Sequence, residues 1–336
     1  MNPRHITLAL FLGLAQVLSA ERLRDAGRER AVKDSAERRY LVAHMRIAAA
    51  DRLIEQPEEI AAYLGARFNT LAVYDTEDTS GLPKSENRIA YEVEFARSHG
   101  LHVLLGKATE PTAATDVEIQ DRITLWAAHG HDVILGVFFL NDDACLMRAT
   151  VERQRHLYAL AHDTVPDWYV FGMIGESCYG PPEEEVARYF DANAFDHLII
   201  LMYPLNLGGL DLVASADPSD DLRRYVQSYV QQMGVRFISH LRPGQLALLV
   251  VQSFVYYEEP ITRVPRPTDI DIQATVGTAA LRQIPGQGDN RSLAYFLWDG
   301  SRAGMFGLWQ RPDWIAAAES VNRRSEDPAG LVVRQP

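Results

Sequence analysis

Asp132–Leu140 reads DVILGVFFL, an apolar run without polar alternation, and Asn141-Asp142-Asp143 follow it directly. A strand wetted on one face alternates apolar and polar residues, whereas a strand covered on both faces does not. Working outward, runs of strand length recur at Tyr40–Met45, Thr70–Tyr74, Leu101–Gly106, Trp168–Ile174, His197–Tyr203, Leu246–Gln252 and Ser292–Trp298. With Asp75, Lys107, Asn141, Met173, Tyr203, Gln252 and Trp298 as strand ends, the steps are 32, 34, 32, 30, 49 and 46 residues. Amphipathic patterns fill most gaps, at Pro57–Leu64, Ile89–Ser98, Val117–His129, Ala149–His162 and Pro182–Phe190. Pro and acids open the first of these, and Gly65, Gly100 and Gly130 stand where helices must stop. This rhythm predicts an α/β chain folded as a single eightfold β/α barrel, with its chemistry at the C-terminal strand ends.

Composition narrows the function. The chain has 336 residues, 47% of them hydrophobic, enough to bury one large core. A formal charge of -12 argues against nucleic acid as a partner, because phosphate binding needs a basic face. It equally disfavours an anionic membrane surface. No zinc-type cysteine pattern, Walker loop or GxGxxG run is present, so no cofactor is expected. His129-Gly-His131 resembles a metal pair but precedes the fourth strand, at the wrong end of the barrel. His156 and His162 lie six apart and do not face each other on a helix, so no metal is expected either.

The N-terminus predicts export. Met1–His5 is short and basic, Ile6–Leu18 is almost unbroken apolar sequence, and Ser19-Ala20 precede charged Glu21-Arg22. That is the layout of a signal peptide over 1–20, with a buried helix or an uncleaved anchor as the alternative. A charged linker or helix follows at 21–39, then the barrel at 40–320 and a disordered tail at 321–336. Secretion or periplasmic residence would suit Cys145 and Cys178, which lie just beyond adjacent strands and can either bridge or stay free.

The strand ends form the candidate site. Asp75 follows the second strand, Lys107 the third, Asn141-Asp142-Asp143 the fourth and Glu176 the fifth. Tyr203, Gln252 and Trp298 end the sixth, seventh and eighth, and His44 lies near the end of the first. Aromatic faces stack on the apolar side of a pyranose, and amides and acids bond its hydroxyls. Carbohydrate is therefore the expected partner. Glycosidic cleavage also needs two carboxyl groups, for which Asp142, Asp143 and Glu176 are the candidates.

At these residues the chain resembles the TIM-barrel glycoside hydrolase superfamily. Gly136–Asp143 resembles a fourth strand followed by an acidic pair, and Asp196–Pro204 a sixth strand ending in Tyr-Pro. Val250–Phe254 resembles a seventh strand ending in Gln-(Ala/Ser)-Phe, and Ala294–Trp298 an eighth bringing Trp to the cavity floor. The resemblance covers roughly 40–315 and implies acid/base cleavage of a polysaccharide, with His44, Asp75, Lys107, Asn141, Tyr203, Gln252 and Trp298 holding the sugar. Two departures count against a standard two-Glu mechanism. The second acid of the pair is Asp143 rather than Glu, and the seventh strand ends in Gln252 rather than Glu.

Structural alternatives stand beside these roles. Asp142 and Asp143 can cap the following helix. Asp75 and Lys107 can form an ion pair, and Trp298 can be packing. A non-catalytic carbohydrate-binding barrel is the second functional reading. A lyase or isomerase using Lys107 is a third, weakened by the lack of a phosphate-binding glycine loop after the seventh strand.

Overall fold

The computed structural model describes residues 41–44, 57–75, 83–106, 115–140, 144–205, 217–256, 264–288, 290–296, 298 and 305–326. Parallel strands β2 (Thr70–Tyr74), β3 (His102–Gly106), β4 (Ile134–Phe138), β5 (Tyr169–Ile174), β6 (His197–Leu201) and β7 (Ala247–Gln252) pair in chain order. A two-residue strand β8 (Val255–Tyr256) follows, and β9 (Leu293–Phe296) then pairs parallel with β7. The four-residue β1 (Leu41–His44) pairs with both β2 and β9, so the ladder returns to its start as a closed barrel. Outside it, β8 and β10 (Met305–Phe306) form a small antiparallel ribbon beyond the ends of β7 and β9.

The helices are α1 (Pro57–Gly65), α2 (Glu86–Ser98), α3 (Asp116–Gly130), α4 (Val151–Thr164), α5 (Glu183–Val186), α6 (Pro218–Arg236), α7 (Pro267–Leu281) and α8 (Pro312–Glu326). Their starts are written locally. Ser85, Thr115, Thr150 and Asp217 each accept a backbone N–H in the first turn, satisfying donors the helix leaves free. Helix α8 runs past the expected boundary at 320, with Val321, Asn322 and Ser325 buried.

The helix expected over Pro182–Phe190 is cut to the single turn of α5. The chain then tightens into i→i−3 turns, Arg188 N–H donating to Glu185 O at 3.2 Å and Tyr189 N–H to Val186 O at 2.8 Å, while Arg188 O accepts from Val151 N–H at 2.9 Å and Tyr189 O from Gln154 Nε2 at 2.7 Å, both on α4. The helical ring is thin there. A cavity of about 440 Å³ opens between α5 and the C-terminus of α6, lined by Phe190, Asn193, Arg236, Phe237 and His240. It lies away from the strand ends.

Two cores follow from strand alternation. Ala72, Tyr74, Leu104, Phe138, Leu140, Phe171, Met173, Ile199, Leu201, Leu248, Val250 and Ala294 fill the barrel interior. Their neighbours Leu71, Val73, Val137, Phe139, Ile200, Leu249 and Tyr295 pack outward against the helices. A strand-end side chain thus reaches the mouth or the helices according to its parity.

Candidate functional site

The C-terminal ends of β5, β6 and β7 are tied into one unit by polar contacts. Beyond Ile174 the chain turns at Gly175 into a 3-10 turn, Glu176–Cys178, which displaces Glu176 from strand alternation. Glu176 Oε1 accepts the backbone N–H of Tyr203, beyond β6, at 3.3 Å, and the hydroxyl of Tyr225, on α6, at 3.3 Å. Two residues along from Tyr203, Leu205 N–H donates to Gln252 Oε1 at 2.9 Å. The segment 203–205 therefore positions a carboxylate on one side and an amide on the other.

Gln252 keeps the inward parity of Leu248 and Val250 and is fully buried. Gln273 on α7 fixes its backbone, accepting from Gln252 N at 2.9 Å and donating to Gln252 O at 3.4 Å. Because Leu205 supplies a donor, the amide must present its oxygen there. Its Nε2 is then a buried donor without a partner among the described residues. A buried donor left unmatched is costly and invites an acceptor from a ligand or water.

Aromatic rings surround this unit. Half-buried Tyr203 meets Phe254 edge-on at 5.0 Å, and Phe254 meets Phe296, the last residue of β9, edge-on at 5.1 Å. These rings and the Gln252 amide provide an apolar wall and a polar point of the kind that orients a sugar ring.

On the neighbouring side, Cys145 and Cys178 form a disulfide with Cα atoms 5.3 Å apart, which settles the bridging alternative raised by their positions. Leu140 and Ala144 are both buried in the inner core, and Ala144 N–H donates to Met173 O on β5 at 3.0 Å. Asn141, Asp142 and Asp143, between those two anchors in sequence, lie outside the described residues, as does Lys107. His44 ends β1 in register with Ala72 on β2.

Two expected sugar contacts are engaged elsewhere. Asp75 has the outward parity of Leu71 and Val73, so its carboxylate meets α3. Arg122 Nε donates to Asp75 Oδ2 at 2.7 Å, Arg122 Nη2 also bonds Oδ1, and Trp126 Nε1 donates to Oδ1 at 2.8 Å. The described partners of Asp75 are thus Arg122 and Trp126, in the helical layer rather than at a sugar, and the expected pairing with Lys107 falls outside the described residues. Trp298 does not floor the interior. Strand β9 ends at Phe296, and the indole is fully buried in the outer layer against Tyr63 and Phe68, donating to Glu59 Oε1 at 3.0 Å. Phe296, two residues earlier, takes the inward place. Both differences follow from parity and from where the strand stops.

The residues least visible in advance are Tyr225 and its neighbour Tyr229. Their i, i+4 spacing on α6 was a readable sign that they share a face. Tyr225 stacks on Tyr229 at 6.0 Å, and Tyr229 stacks on Tyr179 at 5.4 Å and donates its hydroxyl to Leu201 O at 2.7 Å. Burial pushes the Tyr225 phenol well above its usual range and the Glu176 carboxylate pushes it further, so it stays a proton donor in that contact.

No family model and no curated protein matches the chain. Solved structures do. The polyextremophilic β-galactosidase of the Antarctic haloarchaeon Halorubrum lacusprofundi superposes with a TM-score of 0.60 at 12% identity, over 85% of this chain and 58% of that one. The β-galactosidase of the psychrophilic Marinomonas ef1 gives 0.59 at 11%, over 85% and 59%. This chain thus spans less than two thirds of either galactosidase. The catalytic domain of an endo-β-1,4-mannanase from Bacillus sp. JAMB-750 is matched more evenly, with a TM-score of 0.52 at 12% identity over 92% and 93%. These likenesses show the fold, a β/α barrel.

Proposed function

We propose that this chain is a (β/α)8 glycoside hydrolase, exported by removal of about residues 1–20, that cleaves a polysaccharide at the mouth of its barrel. The observation that carries the reading is Glu176: a carboxylate at a strand end, held by Tyr203 and Tyr225 beside an unmatched Gln252 amide and an aromatic wall. The β-galactosidase and the endo-β-1,4-mannanase whose fold it shares are glycosidases, which supports the same class.

The second carboxyl group comes from the fourth strand. It is assigned to Asp142, of the acidic pair that follows that strand in sequence. In the proposed reaction one carboxyl protonates the glycosidic oxygen as its bond to the anomeric carbon breaks. Water supplies oxygen to that carbon, directly or after a covalent intermediate, and its proton goes to a carboxylate. Tyr203, Gln252, Phe254 and Phe296 hold the sugar. His44, Lys107, Asn141 and Asp143 serve as further rim contacts, and Asp75 and Trp298 anchor the walls from outside.

One feature favours a second reading, a barrel that binds carbohydrate without cleaving it: β7 ends in Gln252, where a second Glu would have served as nucleophile. A panel of soluble polysaccharides separates the two, with reducing ends and affinity measured on the mature protein. Release of new reducing ends from at least one polymer is expected. Binding without release from any of them would establish the binding barrel.

A further inference from the structure

We infer that the cavity between α5 and the C-terminus of α6 is a second binding site, for a neutral sugar unit, separate from the barrel mouth. It goes beyond the reading of the mouth, because the sugar class follows from the cavity's own side chains.

The cavity holds about 440 Å³, inside the ~300–1,000 Å³ of small-molecule sites. It opens where the helix after β5 stops at a single turn. Its other walls come from the 3-10 turn Ala192–Ala194, which precedes β6, and from Arg236, Phe237 and His240, which precede β7. Residues that lead into the strands lie toward the N-terminal end of the barrel, opposite the mouth.

Three properties of the lining define the occupant. The first is an aromatic wall. Half-buried Phe190 meets buried Phe237 edge-on, with ring centroids 5.0 Å apart. Rings of this kind take the apolar C–H face of a ligand.

The second is a mixture of fixed donors and acceptors. Half-buried Arg236 donates from Nη1 to Tyr179 O and from Nη2 to Pro181 O, and its guanidinium lies over Phe237 at 5.6 Å. It has no carboxylate partner among the described residues, so its other N–H groups remain as donors. Asn193 Nδ2 donates to Asp191 Oδ1 at 3.0 Å, which leaves Asn193 Oδ1 as an acceptor. Asp191 is held in turn by the Asn193 N–H at 3.0 Å and by Arg155 Nε. Glu183 adds a carboxylate and His240 a ring nitrogen, neither with a side-chain partner among the described residues. Groups that only donate and groups that only accept are matched together by hydroxyls, which do both. Holding them in place beforehand lowers the ordering cost of binding.

The third property is charge. Glu183, Glu184, Glu185 and Asp191 oppose an anion, and the unneutralised Arg236 opposes a cation. A neutral ring with an apolar face and a rim of hydroxyls is a sugar unit.

The test is methyl NMR on the full chain labelled with ¹³C at alanine and valine methyls, titrated with lactose, mannobiose and cellobiose. Val186 and Ala187 both line the cavity, and their signals are assigned by loss in Val186→Ile and Ala187→Ser. Both signals are expected to shift saturably with at least one of these neutral disaccharides. Phe190→Ala removes the apolar wall and should weaken that binding ~10-fold. Ala187→Trp puts an indole into the cavity and should abolish the Val186 shift. No saturable shift with any of the disaccharides, or a Val186 shift that survives Ala187→Trp, would overturn the inference. If Phe190→Ala does not fold, Ala187→Trp decides, since Ala187 is exposed. Release of reducing ends without a cavity shift would overturn this site alone and leave the mouth reading standing. A cavity shift without release would support this site while removing the enzyme reading.

Discussion

Gly136→Ala should abolish the stable fold or lower its thermal midpoint by at least about 5 °C. Gly136 sits in the middle of β4, in register with Leu104 on β3 and Tyr169 on β5. A methyl group there would lie 2.1 Å from Tyr169 O and 2.9 Å from Tyr169 C, both backbone atoms. A side chain can rotate away from such a contact, but a paired strand cannot move without opening its ladder. The cost should reach ~3 kcal/mol or more, at the upper end of overpacking effects. At on the order of 2 °C per kcal/mol for a chain of this size, that is a large fall. Gly180→Ala is the control, because nothing lies within 4 Å of the position its added carbon would take. Differential scanning calorimetry of the two variants checks the result, and an unchanged midpoint for Gly136→Ala would show that β4 and β5 do not pair as described. The consequence reaches function, because those two strands carry the disulfide and the acids of the proposed site.

The second large effect is chemical. Glu176→Gln and Asp142→Asn each remove a charge or a proton while keeping shape. Each should lower kcat on a natural polysaccharide by ~10²–10⁴, the usual contribution of a positioned acid or base. KM should stay within a few-fold, since the groups act on the transition state more than on the bound sugar. Substrates with an acidic aryl leaving group divide the roles. Such a leaving group needs little protonation, so the variant that recovers most of its activity there identifies the proton donor, and the other should stay inactive. Asp143→Asn should remain within a few-fold of wild type on both. Steady-state kinetics on the two substrate types gives the answer. Wild-type rates in both variants would remove these carboxylates from the chemistry.

The fold was legible because it is written in repetition. Continuous apolar runs such as DVILGVFFL declare strands covered on both faces, and their spacing declares the crossovers between them. The ends of β2, β3, β5 and β7 fall where the runs stop, while β4, β6 and β9 stop two residues early. The two-residue difference at β9 matters, because it puts Phe296 inside and sends Trp298 to the outer layer. Asp75 shows a related limit: a run of apolar residues hides parity, so whether the next acid faces the mouth or a helix is invisible until the inward set is known. After Val186 the chain tightens into short turns whose carbonyls at Arg188 and Tyr189 bond α4, a contact between distant segments that no local pattern contains. Tyr225 was hidden for the same reason. It reaches the mouth from a helix, and strand ends alone do not reveal it.

In the proposed enzyme, carboxyl groups from the ends of the fourth and fifth strands converge at the barrel mouth. A crystal structure of the mature protein measures it directly, as the separation between the carboxylates of Glu176 and Asp142. A separation within ~5–9 Å, the range over which paired carboxyls support glycosidic cleavage, is the predicted result. A separation beyond about 12 Å, or carboxylates turned into the helical layer as that of Asp75 is, would contradict it.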